Sequence, residues 1–191
     1  MLTVQDNEKL TRVGPGTPGG DLFRAYWQPA CMTSELPEKD GAPLRVRLLG
    51  EDLIAFRDTE GHVGLVDAYC PHRRAPLFFG RNEECGLRCV YHGWKFDKNG
   101  DCVDMPSEPE GTPLQARVKI NAYPTHEAGG IVWTYMGPAD KSLRRPILNG
   151  CARRRAIAMC QRHLRTAIIC KAWKVALILC IHPLPTIIIW R

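Results

Sequence analysis

Residues 151–191 contain no aspartate, glutamate, glycine, asparagine, serine, phenylalanine or tyrosine. They carry eight Lys and Arg, a net charge of +8, whereas residues 1–150 hold 18 basic and 20 acidic residues, a net of −2. The overall charge of +6 is therefore not a nucleic-acid footprint, because the asymmetry lies entirely in the tail. No basic n-region and no long apolar run opens the chain at Met1-Leu2-Thr3-Val4-Gln5-Asp6, so no signal peptide is expected and a cytoplasmic protein is. An odd total of nine cysteines without such a signal argues against a disulfide framework. The apolar stretch from Ala167 to Ile181 contains Lys171 and Lys174, and Pro183 and Pro185 follow it. It falls short of the ~20 apolar residues that a membrane span needs. At 191 residues the chain can build one good core, with little left for a second.

What is present reads as β-structure. An entry arm ends in the Gly/Pro-rich run Gly14 to Gly20, after which Asp21 is expected to cap a short helix reaching Tyr26-Trp27. Leu22, Phe23, Tyr26 and Trp27 suggest that this arm packs. Leu44, Val46 and Leu48 alternate with Arg45 and Arg47, giving a strand with one apolar face. A turn is expected at Glu51-Asp52, another at Glu60-Gly61, and Val63 to Val66 then delivers the chain to Cys70. Phe96 to Val103 reads as a hairpin on the Asn99-Gly100 turn signal. Val118, Ile120 and Ala122 alternate again, and Ile131 to Met136 forms a last strand after Gly129-Gly130. Short strands with a turn signal every ten residues or so imply an antiparallel sandwich or small barrel.

One stretch organises this pattern. It runs Cys70-Pro71-His72, then sixteen residues, then Cys89-Val90-Tyr91-His92-Gly93-Trp94. Two thiolates and two imidazoles on two short loops are the donor set of a Rieske [2Fe–2S] cluster, with two Cys on one iron and two His on the other. Pro71 stiffens the first turn, and Gly93 lets the backbone approach the cluster closely. Zinc is the competing reading. Structural zinc sites, however, usually space their pairs as Cys-x2–4-Cys and His-x3–5-His, whereas each pair here is mixed. Arg73-Arg74 could favour a more negative reduced cluster, dock an acidic partner, or simply be solvated. His62 and His126 lie outside any ligand spacing and read as surface or satisfied histidines. Tyr91 and Trp94 read as packing around the second loop.

The loops Cys-Pro-His-Arg-Arg-Ala (70–75) and Cys-Val-Tyr-His-Gly-Trp-Lys-Phe-Asp (89–97) resemble those of the oxygenase (alpha) subunits of Rieske non-haem iron ring-hydroxylating oxygenases. The arm from Leu10 to Trp27 and the segment Asp104-Met105-Pro106-Ser107-Glu108-Pro109 are similar to the phthalate 4,5-dioxygenase group. The resemblance covers about residues 1–146. It implies a mainly β Rieske domain with a small cluster-binding subdomain at 27–140, behind an N-terminal arm at 1–26. Cys70 and Cys89 would hold the inner iron and His72 and His92 the outer one. The resemblance also implies an NADH-dependent flavin/[2Fe–2S] reductase as electron donor and an aromatic carboxylate as substrate. A mononuclear Fe(II) that activates O2, and homo-oligomeric full-length relatives, belong to the same expectation. Neither nucleic acid nor membrane enters as a partner. A stand-alone Rieske ferredoxin is the alternative; the family-like N-terminal arm speaks against it.

Residues 141–191 read as an aberrant tail in place of the catalytic mononuclear iron domain, and past about residue 146 the resemblance stops. They read as a membrane helix, a basic amphipathic segment, or an out-of-frame translation. Trp173 to Leu179 permits the coding TGG AAG GTG GCA TTG ATT CTN. Read one base earlier, after a C, it gives Leu-Glu-Gly-Gly-Ile-Asp-Ser, and Cys180-Ile181 then supplies a following His. That resembles the start of the family's mononuclear iron motif, with the shift falling near Pro146–Gly150. As written, His163 and His182 are too far apart and lack the acid of a two-His, one-carboxylate iron site. The expectation is a chain that carries electrons without hydroxylating a ring.

Overall fold

Two threonines start the N-terminal arm. Thr3 accepts the Asp6 N–H and opens α1 (Val4–Thr11), and Thr17 accepts the Gly20 N–H and opens α2 (Pro18–Arg24). Each hydroxyl satisfies an amide that the first helical turn leaves unpaired. Thr17, not Asp21, is therefore the cap; Asp21 lies inside the first turn, and Pro18 starts the helix. The arm is only half packed, since Leu22 and Tyr26 remain exposed. Trp27 meets the rings of His126 and Tyr135. Arg24 ties the arm to the body through an ion pair with Glu51 at 2.6 Å and a hydrogen bond to the Leu49 carbonyl at 3.1 Å.

The strands follow as β1 (Gln28–Met32), β2 (Leu44–Leu48), β3 (Glu51–Arg57) and β4 (Val63–Asp67). Next come β5 (Arg81–Glu83), β6 (Gly86–Arg88), β7 (Lys95–Phe96) and β8 (Cys102–Asp104). After α3 (Pro113–Arg117), β9 (Thr125–Ala128) and β10 (Ile131–Thr134) close the fold. They form three antiparallel sheets, ordered β1-β10-β9, β2-β3-β4 and β5-β6-β7-β8. The described residues are 2–109 and 112–141 of this computed structural model, all within the unit Met1–Ile147. The apolar stretch Ala167 to Ile181, like the rest of the tail, lies outside them.

Val46 and Leu48 are buried and Arg45 and Arg47 exposed, so the alternation in β2 is realised. The turn after it falls at Leu49-Gly50, both left-handed, because Leu48 pairs with Glu51 across a two-residue connection. Glu51-Asp52 already belongs to β3. The second hairpin also differs from expectation. Asp97 accepts the Gly100 N–H, its carboxylate accepts the Asn99 and Asp101 N–H groups, and only Gly100 is left-handed. The aspartate's side chain thus builds a longer turn than Asn-Gly alone would. Gly129-Gly130, both left-handed, makes the two-residue hairpin between β9 and β10. Residues 118–122 form isolated bridges, Asp101 with Lys119 and Val66 with Ala122, and not a strand.

The core joins the second and third sheets. Ile54, Phe56 and Val66 pack with Leu77, Leu87 and Phe96, each no more than 1% exposed. Burying such a side chain stabilises by about 1.5–3 kcal/mol. Cys70, Cys89 and Trp94 belong to the same cluster, so the body's packing extends directly into the two loops.

Candidate functional site

The loops at 70–75 and 89–94 have one backbone frame. In the first, the Cys70 N–H donates to the Ala75 carbonyl and the Arg74 N–H to the Cys70 carbonyl, both at 2.9 Å. In the second, the Cys89 N–H donates to Trp94 at 2.8 Å and the Gly93 N–H to Cys89 at 3.1 Å. The fifth residue of each is left-handed, Arg74 at φ 57° and Gly93 at φ 76°. The loops differ in where the imidazole stands: third in one, fourth in the other.

This offset brings the four expected ligands together. Cys70 and Cys89 are 2% and 3% exposed and belong to one buried cluster. His72 is exposed and His92 partly so, with ring centroids 4.5 Å apart at 55°. The site therefore has a buried sulfur end and a solvent-facing nitrogen end. Burial pushes the Cys70 thiol up to about 11, the backbone amides of His72 and Arg73 pull it back, and the neighbouring Cys89 raises it. Partial burial, and then the positive charges of His72 and Arg73, hold His92 below the usual histidine value. A neutral imidazole is the form that ligates a metal. Sulfur inside, nitrogen outside and amides aimed at a cysteine sulfur suit a mixed Cys/His iron–sulfur cluster.

Two further side chains, Arg88 and Trp94, hold the loops, and spacing gave no signal for their roles. Arg88, mostly buried, binds Glu83 at 2.5 Å, Asp104 at 2.8 Å and the Gly93 carbonyl at 2.8 Å. Trp94 is buried as expected, but its ring lies flat on His72, 4.4 Å between centroids and 7° between planes. Its indole N–H donates to Ser107 Oγ at 3.1 Å. Tyr91 does not pack inside: it is exposed, with its ring 3.9 Å from that of His92.

His62 lies elsewhere, facing Asp58 and Glu60. Lys98 Nζ stands 2.8 Å from His62 Nδ1 and 3.7 Å from Asp58, so an ammonium already provides the positive charge there. Asp58, Glu60 and Lys98 line a cleft of about 330 Å³ that also contains Cys85 and Lys95.

The family model described as the Rieske [2Fe-2S] domain matches residues 26–124. The chain belongs to the Rieske [2Fe-2S] domain family. Over roughly three-quarters of its length it is similar to oxygenase subunits. It is 54% identical over 140 residues to the phthalate 4,5-dioxygenase oxygenase subunit of Pseudomonas putida, covering 73% of this chain and 32% of that protein. It is 49% identical over 141 residues to the 5,5'-dehydrodivanillate O-demethylase oxygenase subunit of Sphingobium sp., covering 72% and 33%. Among solved structures, dicamba monooxygenase with non-heme iron and dicamba aligns with a TM-score of 0.60 at 29% identity, over 69% of this Rieske chain and 39% of that one. The chain spans about a third of the length of these curated relatives. The 140 aligned residues reach beyond the 26–124 span of the Rieske domain itself. No helix among the described residues is long and apolar enough to cross a membrane.

Proposed function

We propose that residues 27–140 are the electron-carrying Rieske domain of a ring-hydroxylating oxygenase component. In this reading Cys70 and Cys89 ligate one iron of a [2Fe–2S] cluster and His72 and His92 the other. The convergence of two buried sulfurs and two outward imidazoles on one repeated turn carries the proposal. When bound, the cluster supplies reversible one-electron transfer. The protein's own residues supply the rest. Backbone amides of His72 and Arg73 favour the Cys70 thiolate, Arg88 fixes the second loop through the Gly93 carbonyl, and the exposed His72 edge faces an incoming donor. That donor would be a cytoplasmic NADH-dependent reductase carrying flavin and [2Fe–2S], and the substrate of the complete enzyme an aromatic carboxylate. Similarity extending beyond the Rieske span supports an oxygenase component over a stand-alone ferredoxin.

In the same reading, the frame shifts near Pro146–Gly150, within a tail (residues 141–191) that stands where relatives continue into a mononuclear Fe(II) domain. The chain then accepts electrons and hydroxylates nothing. Purified protein is expected to hold two irons and two sulfides, with the EPR signal of mixed His/Cys ligation once reduced. Its potential should fall within about −150 to +300 mV, toward the low end. Stoichiometric zinc without iron would overturn the cluster. O2-dependent hydroxylation of phthalate or benzoates, given reductase and NADH, would overturn the inactivity of the chain.

A further inference from the structure

Among the described residues, the His72 imidazole has no hydrogen-bond partner; its ring contacts are those to Trp94 and His92. It stands on an exposed loop two residues before the left-handed Arg74. A ligand so placed needs something else to fix its plane, since a histidine ligand is ordinarily oriented by a hydrogen bond from its second ring nitrogen. The Trp94 indole supplies a surface. It comes from the other loop, is 7% exposed, and stacks nearly parallel to the His72 ring. The indole is itself fixed, because its N–H donates to Ser107 Oγ beyond β8. Arg88 braces the same loop by donating to the Glu83 and Asp104 carboxylates and to the Gly93 carbonyl.

The geometry points to Trp94 as a positioning residue for His72, with Ser107 as its clamp: a stack from the second loop sets the plane of the first loop's imidazole. This rests on the proposed cluster ligation and adds a residue to it. Trp94 does not ligate. It acts through His72, and its consequences are a defined His72–iron geometry and slower release of iron from the histidine end. Packing alone would predict something different, namely a loss of thermal stability that follows the volume removed and leaves a loaded cluster's spectrum unchanged.

The test compares the full chain, reconstituted with iron and sulfide, with its Trp94→Phe, Trp94→Leu and Ser107→Ala variants. Readouts are the g-values and linewidths of the reduced EPR spectrum and the rate of iron loss to a chelator. Trp94→Phe, which keeps a stacking ring, is expected to retain the parent g-values. Trp94→Leu, which keeps bulk but no ring, is expected to shift them and to lose iron about three- to tenfold faster, the scale of one aromatic stack. Ser107→Ala is expected to broaden the lines, because the indole is no longer held. Parent g-values and parent iron loss in Trp94→Leu would overturn the proposal. If that variant does not fold, Ser107→Ala decides: unchanged linewidths and iron loss there overturn it equally. A parent protein that binds no [2Fe–2S] cluster at all would instead overturn the ligand assignment, which separates the two failures.

Discussion

The Arg57 guanidinium grips both carboxylate oxygens of Glu127, at 2.7 and 3.0 Å, from a position seventy residues away in the chain. The pair ties β3 of one sheet to β9 of another. Arg57 also donates to the Leu36 and Gly61 carbonyls, each at 2.7 Å, so one side chain joins four segments. Bidentate charge-assisted bonds are among the stronger polar contacts.

Glu127→Gln should remove part of this stabilisation and Arg57→Ala more. Glu127 is about a third exposed, so after solvent screening its loss is set at about 1 kcal/mol, or roughly 2–4 °C in Tm. Arg57→Ala also strands two carbonyls and should cost about 3 kcal/mol or more. The Arg57 hydrogen bonds hold the Glu127 carboxyl below the usual carboxylate range. The stabilisation is therefore present above the unfolded-state pKa and is lost as pH falls through the folded-state pKa. Melting curves of parent and Glu127→Gln should differ near pH 7 and converge in acid. A gap that widens in acid would refute the assignment.

Gly93 and Arg74 occupy the same left-handed position in the two loops, yet their substitutions should behave differently. A Cβ on Gly93 would stand 3.2 Å from Pro106 Cγ on a backbone at φ 76°. Gly93→Ala should cost about 1–2 kcal/mol and weaken iron retention, because the Gly93 carbonyl is Arg88's anchor. Arg74→Gly relieves about 1 kcal/mol of strain but loses the stack of the guanidinium over Tyr69, 4.8 Å from the ring, worth about 0.5–1 kcal/mol. Its Tm should stay within about 2 °C of the parent. Calorimetry of the two variants, with iron content measured beside it, checks both.

All four proposed cluster ligands lie between residues 70 and 92. A chain ending at Ile147 is expected to bind the same iron and sulfide per molecule as the full chain and to show the same EPR signal. Loss of iron from the shortened chain would make residues 148–191 a structural element. The DNA across codons 140–191 offers an independent check: the proposed out-of-frame tail requires a shifted frame there, and an intact frame would refute it.

Much of the site was legible because ligand chemistry constrains residue types at short spacing. Cys70, His72, Cys89 and His92 are visible as a donor set before any fold is known, and their convergence follows from two local turns. β2 was legible for a similar reason, since alternation in Leu44 to Leu48 is a local property. Arg88 was not. Its partners Glu83 and Asp104 meet it only after β5, β6, β7 and β8 align. The Asn99-Gly100 signal pointed to the right hairpin but the wrong turn, because the Asp97 carboxylate captured two amides that the dipeptide rule leaves out. Residues 118–122 alternate like a strand yet make only bridges, since β-pairing depends on a neighbour that sequence periodicity does not encode.

The repeated turn of the two loops has a bearing on how they could be re-engineered. Because the scaffolds match, the ordinal place of the imidazole is what distinguishes one loop from the other. Exchanging two adjacent residues, with His72→Arg and Arg73→His together, leaves mass, charge and composition untouched while moving the first ring to the place it holds in the second loop. The rotated ring should no longer meet His92, and the isomeric protein is expected to bind less than half the parent's iron while keeping its fold by far-ultraviolet circular dichroism. Full iron incorporation by that isomer would show that the inventory of the loop matters and its order does not.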